Sequence, residues 1–248
     1  MRILYIVILS FFVIASAAQV NFVQAGSISY ERRISQFAAL GNSEDDSNMW
    51  MEELKKQFPK VVADNFTLQF NNKESFYYLT KENSDNKYIN MLFKPSETNY
   101  VNQKHESGTV ASAATIFENT YLVNDSLVKY EWKITGEVRD IAGFECKKAI
   151  TKICDSVVVV AFYTDQIPVQ AGPENFNGLP GMILAIAVPR LGTTIFATSI
   201  SLQAAPNYVL PTLSKPKKST IKQLDADLVK TTKDWGKEAA AILWFLKL

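Results

Sequence analysis

Short apolar and polar runs alternate along most of the chain. In the stretch "SISYERR", Ile28 and Tyr30 fall on one side and Ser27 and Ser29 on the other, which is the two-residue period of a half-buried strand. Three further runs are rich in Phe, Tyr, Leu or Thr and are separated by polar turns: residues 65–72, 74–81 and 87–94. This pattern predicts a meander of antiparallel strands.

The second half of the chain contains three apolar runs, at residues 157–163, 182–188 and 193–202. Runs of this length are typical of strands that are covered on both faces. Further strands are predicted at 120–123, 126–135 and 144–150, with a turn at Asn124 and Asp125. Residues 98–119 predict a loop followed by a strand.

Two segments have the spacing of amphipathic helices. Residues 43–58 combine acidic residues in a first turn with an apolar stripe, and residues 219–235 repeat the pattern after a cap at Ser219 or Thr220. We therefore predict a mainly β fold of the α+β type. The prediction is a curved antiparallel sheet or open half-barrel, with a short helix in the N-terminal half and a C-terminal helix.

The first eighteen residues have the pattern of a secretory signal peptide. Arg2 precedes an apolar run at residues 3–14, and Ala15-Ser16-Ala17 fits an A-x-A cleavage site. The apolar run is shorter than the roughly 20 residues that span a bilayer. We expect cleavage near Ala17 or Ala18, export to the periplasm or the extracellular space, and no transmembrane span in the mature chain.

The remaining length is suited to one β domain. We predict a signal peptide at 1–18, an antiparallel β domain with the Pro/Gly loop at 19–210, and a helical segment packed on that domain at 211–248.

The charge balance argues against nucleic acid as a partner. The chain has 26 basic and 25 acidic residues, and loss of the leader leaves equal numbers of each. A neutral chain has no strong field that attracts nucleic acid or an anionic membrane. The basic run at 215–218 is interpreted as a solvated linker.

Cys146 and Cys154 are the two cysteines of the chain. Export permits a disulfide between them. An extended segment between them would hold them too far apart for a bridge, so both states stay open. The single histidine, His105, is remote in sequence from both cysteines and lies among polar residues. We therefore predict no metal site and no cofactor.

Residues 165–181 form a loop rich in Pro, Gly and Asn between two apolar strands. Leu179, Pro180, Gly181 and Met182 predict a type II turn, because proline sets φ of the second position and glycine supplies a positive φ at the third. The other residues expected to shape this loop are Pro168, Gly172, Pro173, Phe176 and Gly178, with Phe176 and Leu179 as buried anchors. Such a loop is either a structural plug or a binding site.

These segments resemble the GLPGLI family of secreted bacterial proteins. The resemblance is carried by Gly178-Leu179-Pro180-Gly181-Met182-Ile183, together with "YEWKIT" at 130–135, "IAGFECKKA" at 141–149 and "AFYTDQIPVQAGP" at 161–173. It implies export and a mostly antiparallel β fold, and it implies no settled biochemical activity. The apolar end of the chain at 239–248 is not expected from that family.

The sequence contains no HExxH, GxSxG, P-loop or CxxC pattern. The loop carboxylates Asp165 and Glu174 are expected to bond to their own turn backbones. We therefore predict a non-enzymatic protein that binds or carries an apolar ligand in the cell envelope. The alternatives are an interaction module of an outer-membrane or secreted complex, and a hydrolase that uses Asp165 and Glu174.

Overall fold

The computed structural model describes residues 25–35, 60–81, 98–116, 119–154, 156–203, 208–234 and 243. These residues contain one sheet of twelve strands. The strands are β1 Gly26–Ser35, β2 Val61–Phe70, β3 Glu74–Lys81, β4 Tyr100–Lys104, β5 Thr109–Ile116, β6 Asn119–Ser126, β7 Lys133–Ile141, β8 Phe144–Ile153, β9 Val157–Thr164, β10 Met182–Val188, β11 Thr193–Ser201 and β12 Lys217–Ser219. A 3₁₀ turn at Pro189–Leu191 joins β10 to β11, and the α-helix α1 covers Ile221–Thr231.

Two meanders meet at β1 to make this sheet. Strands β1 to β6 pair in sequence order in one direction, and β7 to β11 pair in sequence order until β11 lies beside β1. These pairs are antiparallel, whereas β12 pairs parallel to β6. The result is a mixed, largely antiparallel open sheet, which confirms the predicted mainly β class and the C-terminal helix.

The connection between the two meanders forces the sheet to curve. β6 and β7 are ten places apart in the strand order, which would separate them by about 48 Å in a flat sheet. Residues 127–132 join them, and a connection of this length spans at most about 25 Å. The two ends of the sheet must therefore approach each other. Cα atoms of β7 and β11, four places apart, also come within 8 Å of each other.

The main core lies on one face of the sheet, the inner face, which carries Ile28 and Tyr30 of β1. Ile28 is opposite Leu68 and Tyr30 is opposite Phe66 on β2, and all four side chains are buried. The hydroxyl of Tyr30 donates a hydrogen bond to the carbonyl oxygen of Ile183, 2.6 Å away. This bond ties the centre of the sheet to the end of the Pro/Gly loop and satisfies a buried polar group.

The outer face is partly covered by the chain that follows β11. Phe76, Tyr100 and Ala113 form a small buried cluster there. The ring of Tyr208 stacks on that of Phe76, with centroids 3.7 Å apart. The chain thus packs on the back of the first meander before it reaches β12 at the sheet edge.

The Pro/Gly loop at 165–181 packs on the inner face. Its residues Ile167, Ala171, Phe176 and Leu179 are each at most 1% exposed. The loop therefore fills much of the concave side of the sheet with its own side chains.

The turn in this loop is tighter than the predicted type II turn. The N–H of Gly181 donates to the carbonyl oxygen of Leu179 over 2.7 Å, which closes a three-residue γ-turn. The N–H of Met182 donates instead to Ile167 across the loop. Gly181 has a φ of 151°, and a Cβ atom there would lie 2.1 Å from the carbonyl oxygen of Thr164. Glycine is required at this position by both conformation and space.

Helix α1 is fixed at its start by two kinds of cap. Thr220 and Gln223 form a capping box. The carboxylate of Asp125 on β6 accepts a hydrogen bond from the N–H of Ile221, 3.0 Å away. Leu228 packs against Ile116, Tyr121 and Val123. The helix is therefore held against the edge of the first meander.

Several local predictions differ from the structure. Residues 98–119 contain two strands, β4 and β5, rather than a loop and one strand, and Asn124 and Asp125 lie within β6 rather than in a turn. Lys217 and Lys218 belong to β12 and are not linker. The predicted leader, the helix at 43–58, the strand at 87–94 and the tail, apart from Leu243, lie outside the described residues. Within the described residues, no helix has the length and apolar character needed to span a membrane.

Replacing Gly181 with alanine should destabilise the protein by about 2–4 kcal/mol, because alanine is strained at this φ and its Cβ meets Thr164. Gly136 on β7 is the matched control, since a Cβ there meets nothing within 4 Å. Urea denaturation of Gly181→Ala and Gly136→Ala measures both. Equal stability of the two variants would show that the loop is not fixed by close packing at Gly181.

Replacing Asp125 with asparagine should lower the melting temperature at pH 7 by about 1–3 °C. Hydrogen bonds from the N–H groups of Ser126 and Ile221 hold the pKa of Asp125 below its ordinary value of 3.8. A lowered pKa in the folded state stabilises the fold above the unfolded pKa, and this contribution is lost as the pH falls through the folded value.

The difference between the native protein and Asp125→Asn should therefore shrink below about pH 3.8. Thermal unfolding monitored by circular dichroism from pH 7 to pH 2 measures it, with Asp140→Asn on exposed β7 as control. A gap that stays constant with pH would mean that the charged carboxylate does not cap α1.

Candidate functional site

The predicted loop residues divide by position. Pro168, Gly178 and Pro180 are exposed, whereas Gly172, Pro173, Phe176, Leu179 and Gly181 are buried. The buried set packs the loop onto the sheet, as expected of a structural plug. A binding role for the exposed set stays a prediction.

A charged cluster lies where this loop meets the inner face. Arg32 on β1 is directly opposite Asp64 on β2. The Nη2 atom of Arg32 is 3.5 Å from Asp64 Oδ2, and its Nη1 atom is 3.5 Å from Glu174 Oε1 in the loop. The amide of Gln103 on β4 donates to the carbonyl oxygen of Glu174 over 3.4 Å. Four separate parts of the chain therefore meet around Glu174.

Burial and a neighbouring positive charge act in opposite directions on the carboxyl group of Glu174. Burial raises the pKa of Glu174, and the neighbouring Arg32 opposes that rise. Burial, and then the charge of Glu174, raise the pKa of Tyr77 on β3. Within the described residues, Tyr77 Oη and Gln103 Oε1 are buried without a hydrogen-bond partner. The cluster is thus a group of polar side chains surrounded by the apolar core. Glu174 has a left-handed φ of 54° at this position.

The two predicted carboxylates are not brought together. Asp165 is exposed and accepts a hydrogen bond from Lys147 Nζ at 2.6 Å, whereas Glu174 pairs with Arg32. The expectation that both carboxylates bond to their own turn backbones is wrong, since each pairs with a cationic side chain from a neighbouring strand. The alternation along β1 already placed Arg32 in phase with Ile28 and Tyr30, and this signal could have identified a buried charge.

Aromatic side chains join the loop to the connection between the meanders. The ring centroid of Phe176 is 5.4 Å from that of Tyr130 and 6.4 Å from that of Trp132. The indole N–H of Trp132 donates to the carbonyl oxygen of Asn177 over 2.8 Å. The segment 127–132, predicted as part of a strand, therefore packs against the plug.

A cavity of about 710 Å³ lies beside this junction. Its walls come from β5, β6, the 127–132 connection, the start of β7, the end of β8, the loop and α1. Apolar groups are contributed by Val110, Val123, Ile150, Ile153, Leu224 and Leu228. Hydrogen-bonding or charged groups are contributed by Ser112, Lys129, Tyr130, Glu131, Lys133, Thr151, Lys152, Asn175 and Asp225. The volume and the mixed lining are in the range of small-ligand sites.

The cysteines do not form a disulfide with each other in this structure. Cys146 is buried within β8 and Cys154 follows the end of that strand. Eight residues of extended chain span about 26 Å, far beyond disulfide reach. Burial raises the pKa of the Cys146 thiol to about 12, so it is not poised as a nucleophile.

His105 is partly buried, and burial lowers its pKa. Across the described ranges, no group of three or more His, Cys, Asp or Glu residues could hold a metal ion. The prediction of no cofactor is not tested by this observation.

A family model described as "N-glycanase peptide, N-terminal domain" matches residues 53–226. The resemblance to the GLPGLI family is therefore wrong. Within the motif at 178–183, glycine is required at position 181 by its positive φ and by the close approach of Thr164, whereas Gly178 and Pro180 are exposed.

Two crystal structures of PNGF-II share the fold. One, in space group C2, aligns with a TM-score of 0.53 and 17% identity over 89% of this chain and 33% of that chain. The other, in space group P21, gives 0.52 and 18% over 86% of this chain and 33% of that chain. This chain thus spans about a third of the length of PNGF-II. None of the curated proteins matches the sequence.

These findings also overturn the predicted function of a protein that binds or carries an apolar ligand in the cell envelope. The physical reason is visible in the fold, where the plug fills the concave side and the cavity that is left has charged walls. The family match covers well over half of the chain. The chain belongs to the family of peptide N-glycanase N-terminal domains.

Proposed function

We propose that this protein is an exported, non-catalytic domain that binds glycoproteins through the cavity between β5, β6, β8 and α1. The family supports a role connected with glycoproteins, since its name is that of the N-terminal domain of an N-glycanase. The leader pattern at residues 1–18 supports export. The sheet would adopt the half-barrel shape expected from the sequence, because this shape brings β5, β6 and β8 together around one cavity.

The observation that carries the proposal is the lining of the cavity. A sugar presents hydroxyl groups at its edges and C–H groups on its faces, so it needs hydrogen-bonding and apolar walls together. Ser112, Thr151 and Asn175 supply hydroxyl and amide groups, and Val110 and Leu228 supply apolar surface. A purely apolar ligand would leave these polar groups without partners, which is costly.

The non-catalytic assignment rests on the placement of the titratable groups. The cluster of Arg32, Asp64 and Glu174 is largely covered, with side chains 4–16% exposed. Glu174 belongs to the loop that packs on the core, and the next residue, Asn175, lines the cavity. We interpret the cluster as the fixed support of the loop and of that cavity wall.

Hydrolysis by Asp64 and Glu174 is the second candidate. The observation in its favour is the raised pKa of Glu174 beside a second carboxylate, which suits a general acid. A turnover assay distinguishes the two candidate functions, because a binding domain releases no glycan.

The protein should bind an N-glycopeptide more tightly than the same peptide without its glycan. Replacing Ser112 with tryptophan should abolish that preference, because the indole fills the cavity from β5. Ser107→Trp in the exposed β4–β5 turn is the matched control and should bind like the native protein. Isothermal titration calorimetry measures the affinity of the native protein and of both variants for each of the two peptides, on protein recovered from the periplasm with its N-terminus checked by mass.

Equal affinity for both peptides, or equal binding by the two tryptophan variants, would show that the cavity does not bind the glycan. A parallel incubation with a glycoprotein should release no free glycan by mass spectrometry. Release that disappears in Glu174→Gln would establish the hydrolytic alternative instead.

A further inference from the structure

We infer that the cavity selects glycans that carry an anionic group, such as the carboxylate of an acidic sugar. This inference rests on the proposed glycan-binding function and adds the class of glycan. It comes from the charges at the β7 and β8 wall of the cavity.

Three lysines line this cavity: Lys129, Lys133 and Lys152. Lys133 is opposite Ile150 in the β7–β8 ladder. Lys152 lies two residues beyond Ile150 on the same face, so Lys133 and Lys152 are diagonal neighbours, roughly 7–8 Å apart at their backbones. Like charges in this arrangement repel each other unless an anion lies between them.

Two other lysines on β8 differ from these three, because they form ion pairs. Lys147 and Lys148, on β8 outside the cavity, pair with Asp165 and Glu137, each at 2.6 Å. Within the described residues, Lys129, Lys133 and Lys152 have no such ion pair. On β9, the strand that pairs with the other edge of β8, Lys152 is opposite Val158, an uncharged residue. The lysines at the cavity are therefore available to a ligand.

Two acidic residues also line the cavity, and they do not cancel this charge. Asp225 already interacts with another group of the protein. Glu131 lies in the connection between Lys129 and Lys133, and it lines the cavity without an ion pair to either. The start of α1 adds no anion site, since its first N–H groups are taken by Asp125 and Thr220. The charged residues that line the cavity therefore carry a positive excess, in a chain that is nearly neutral overall.

An anionic glycan fits this distribution. Its carboxylate would lie between Lys133 and Lys152, where two charge-assisted hydrogen bonds form. Its neutral sugar rings would contact Ser112, Asn175 and the apolar wall. Exposed lysines change affinity by modest amounts and give a strong dependence on salt.

The test compares a disialylated N-glycopeptide with the same glycopeptide after sialidase treatment. The native protein should bind the acidic form about three- to tenfold more tightly, and raising sodium chloride from about 50 mM to 500 mM should remove most of that advantage. The double variant Lys133→Gln/Lys152→Gln should bind both forms with the affinity of the native protein for the neutral form. Isothermal titration calorimetry gives the dissociation constants.

Lys104→Gln/Lys230→Gln is the matched control, because it removes the same charge from exposed positions on β4 and α1 outside the cavity. It should keep the preference for the acidic form. Equal binding of the two glycopeptides by the native protein would overturn the anionic selectivity and leave the glycan site standing. Loss of preference in both double variants would also overturn it, as a general charge effect. Failure to bind either glycopeptide would overturn the proposed function itself.

Discussion

The short connection between β6 and β7 sets the shape of this protein. Its six residues must join strands that stand ten places apart in one sheet. Backbone length allows about half of the distance that a flat sheet would need, so the sheet bends until its ends approach. Every feature of the functional proposal depends on that bend, because the cavity takes its walls from β5 and β6 at one end and from β8 at the other.

A curved sheet has a concave side that must be filled, and the Pro/Gly loop fills it. The loop is fixed at three points: by Gly181 against Thr164, by the ion pair of Glu174 with Arg32, and by the hydrogen bond from Trp132 to Asn177. The last of these points lies in the β6–β7 connection, so the constraint on shape and the plug support each other. What is left open is a cavity with mixed walls, in a chain that belongs to the N-glycanase N-terminal domain family.

Local patterns predicted part of the local structure. The bounds expected for β3 and β10 match the observed strands, and Thr220 caps α1. Such features depend on neighbours in sequence, so periodicity and capping chemistry identify them. The cavity depends on Ser112, Thr151 and Asn175, which are far apart in sequence and meet only through the topology. The family prediction failed because it relied on short motifs within residues 130–184, whereas the family model matches residues 53–226.

The distance between the two ends of the sheet tests this account most directly. Spin labels at positions 124 on β6 and 152 on β8, in a protein with Cys154 replaced by serine, would measure it by double electron–electron resonance, while buried Cys146 stays unlabelled. Because residues beside and at these positions line one cavity, we expect a separation below about 25 Å. A flat or weakly curved sheet would give about 43 Å, and that result would contradict the account.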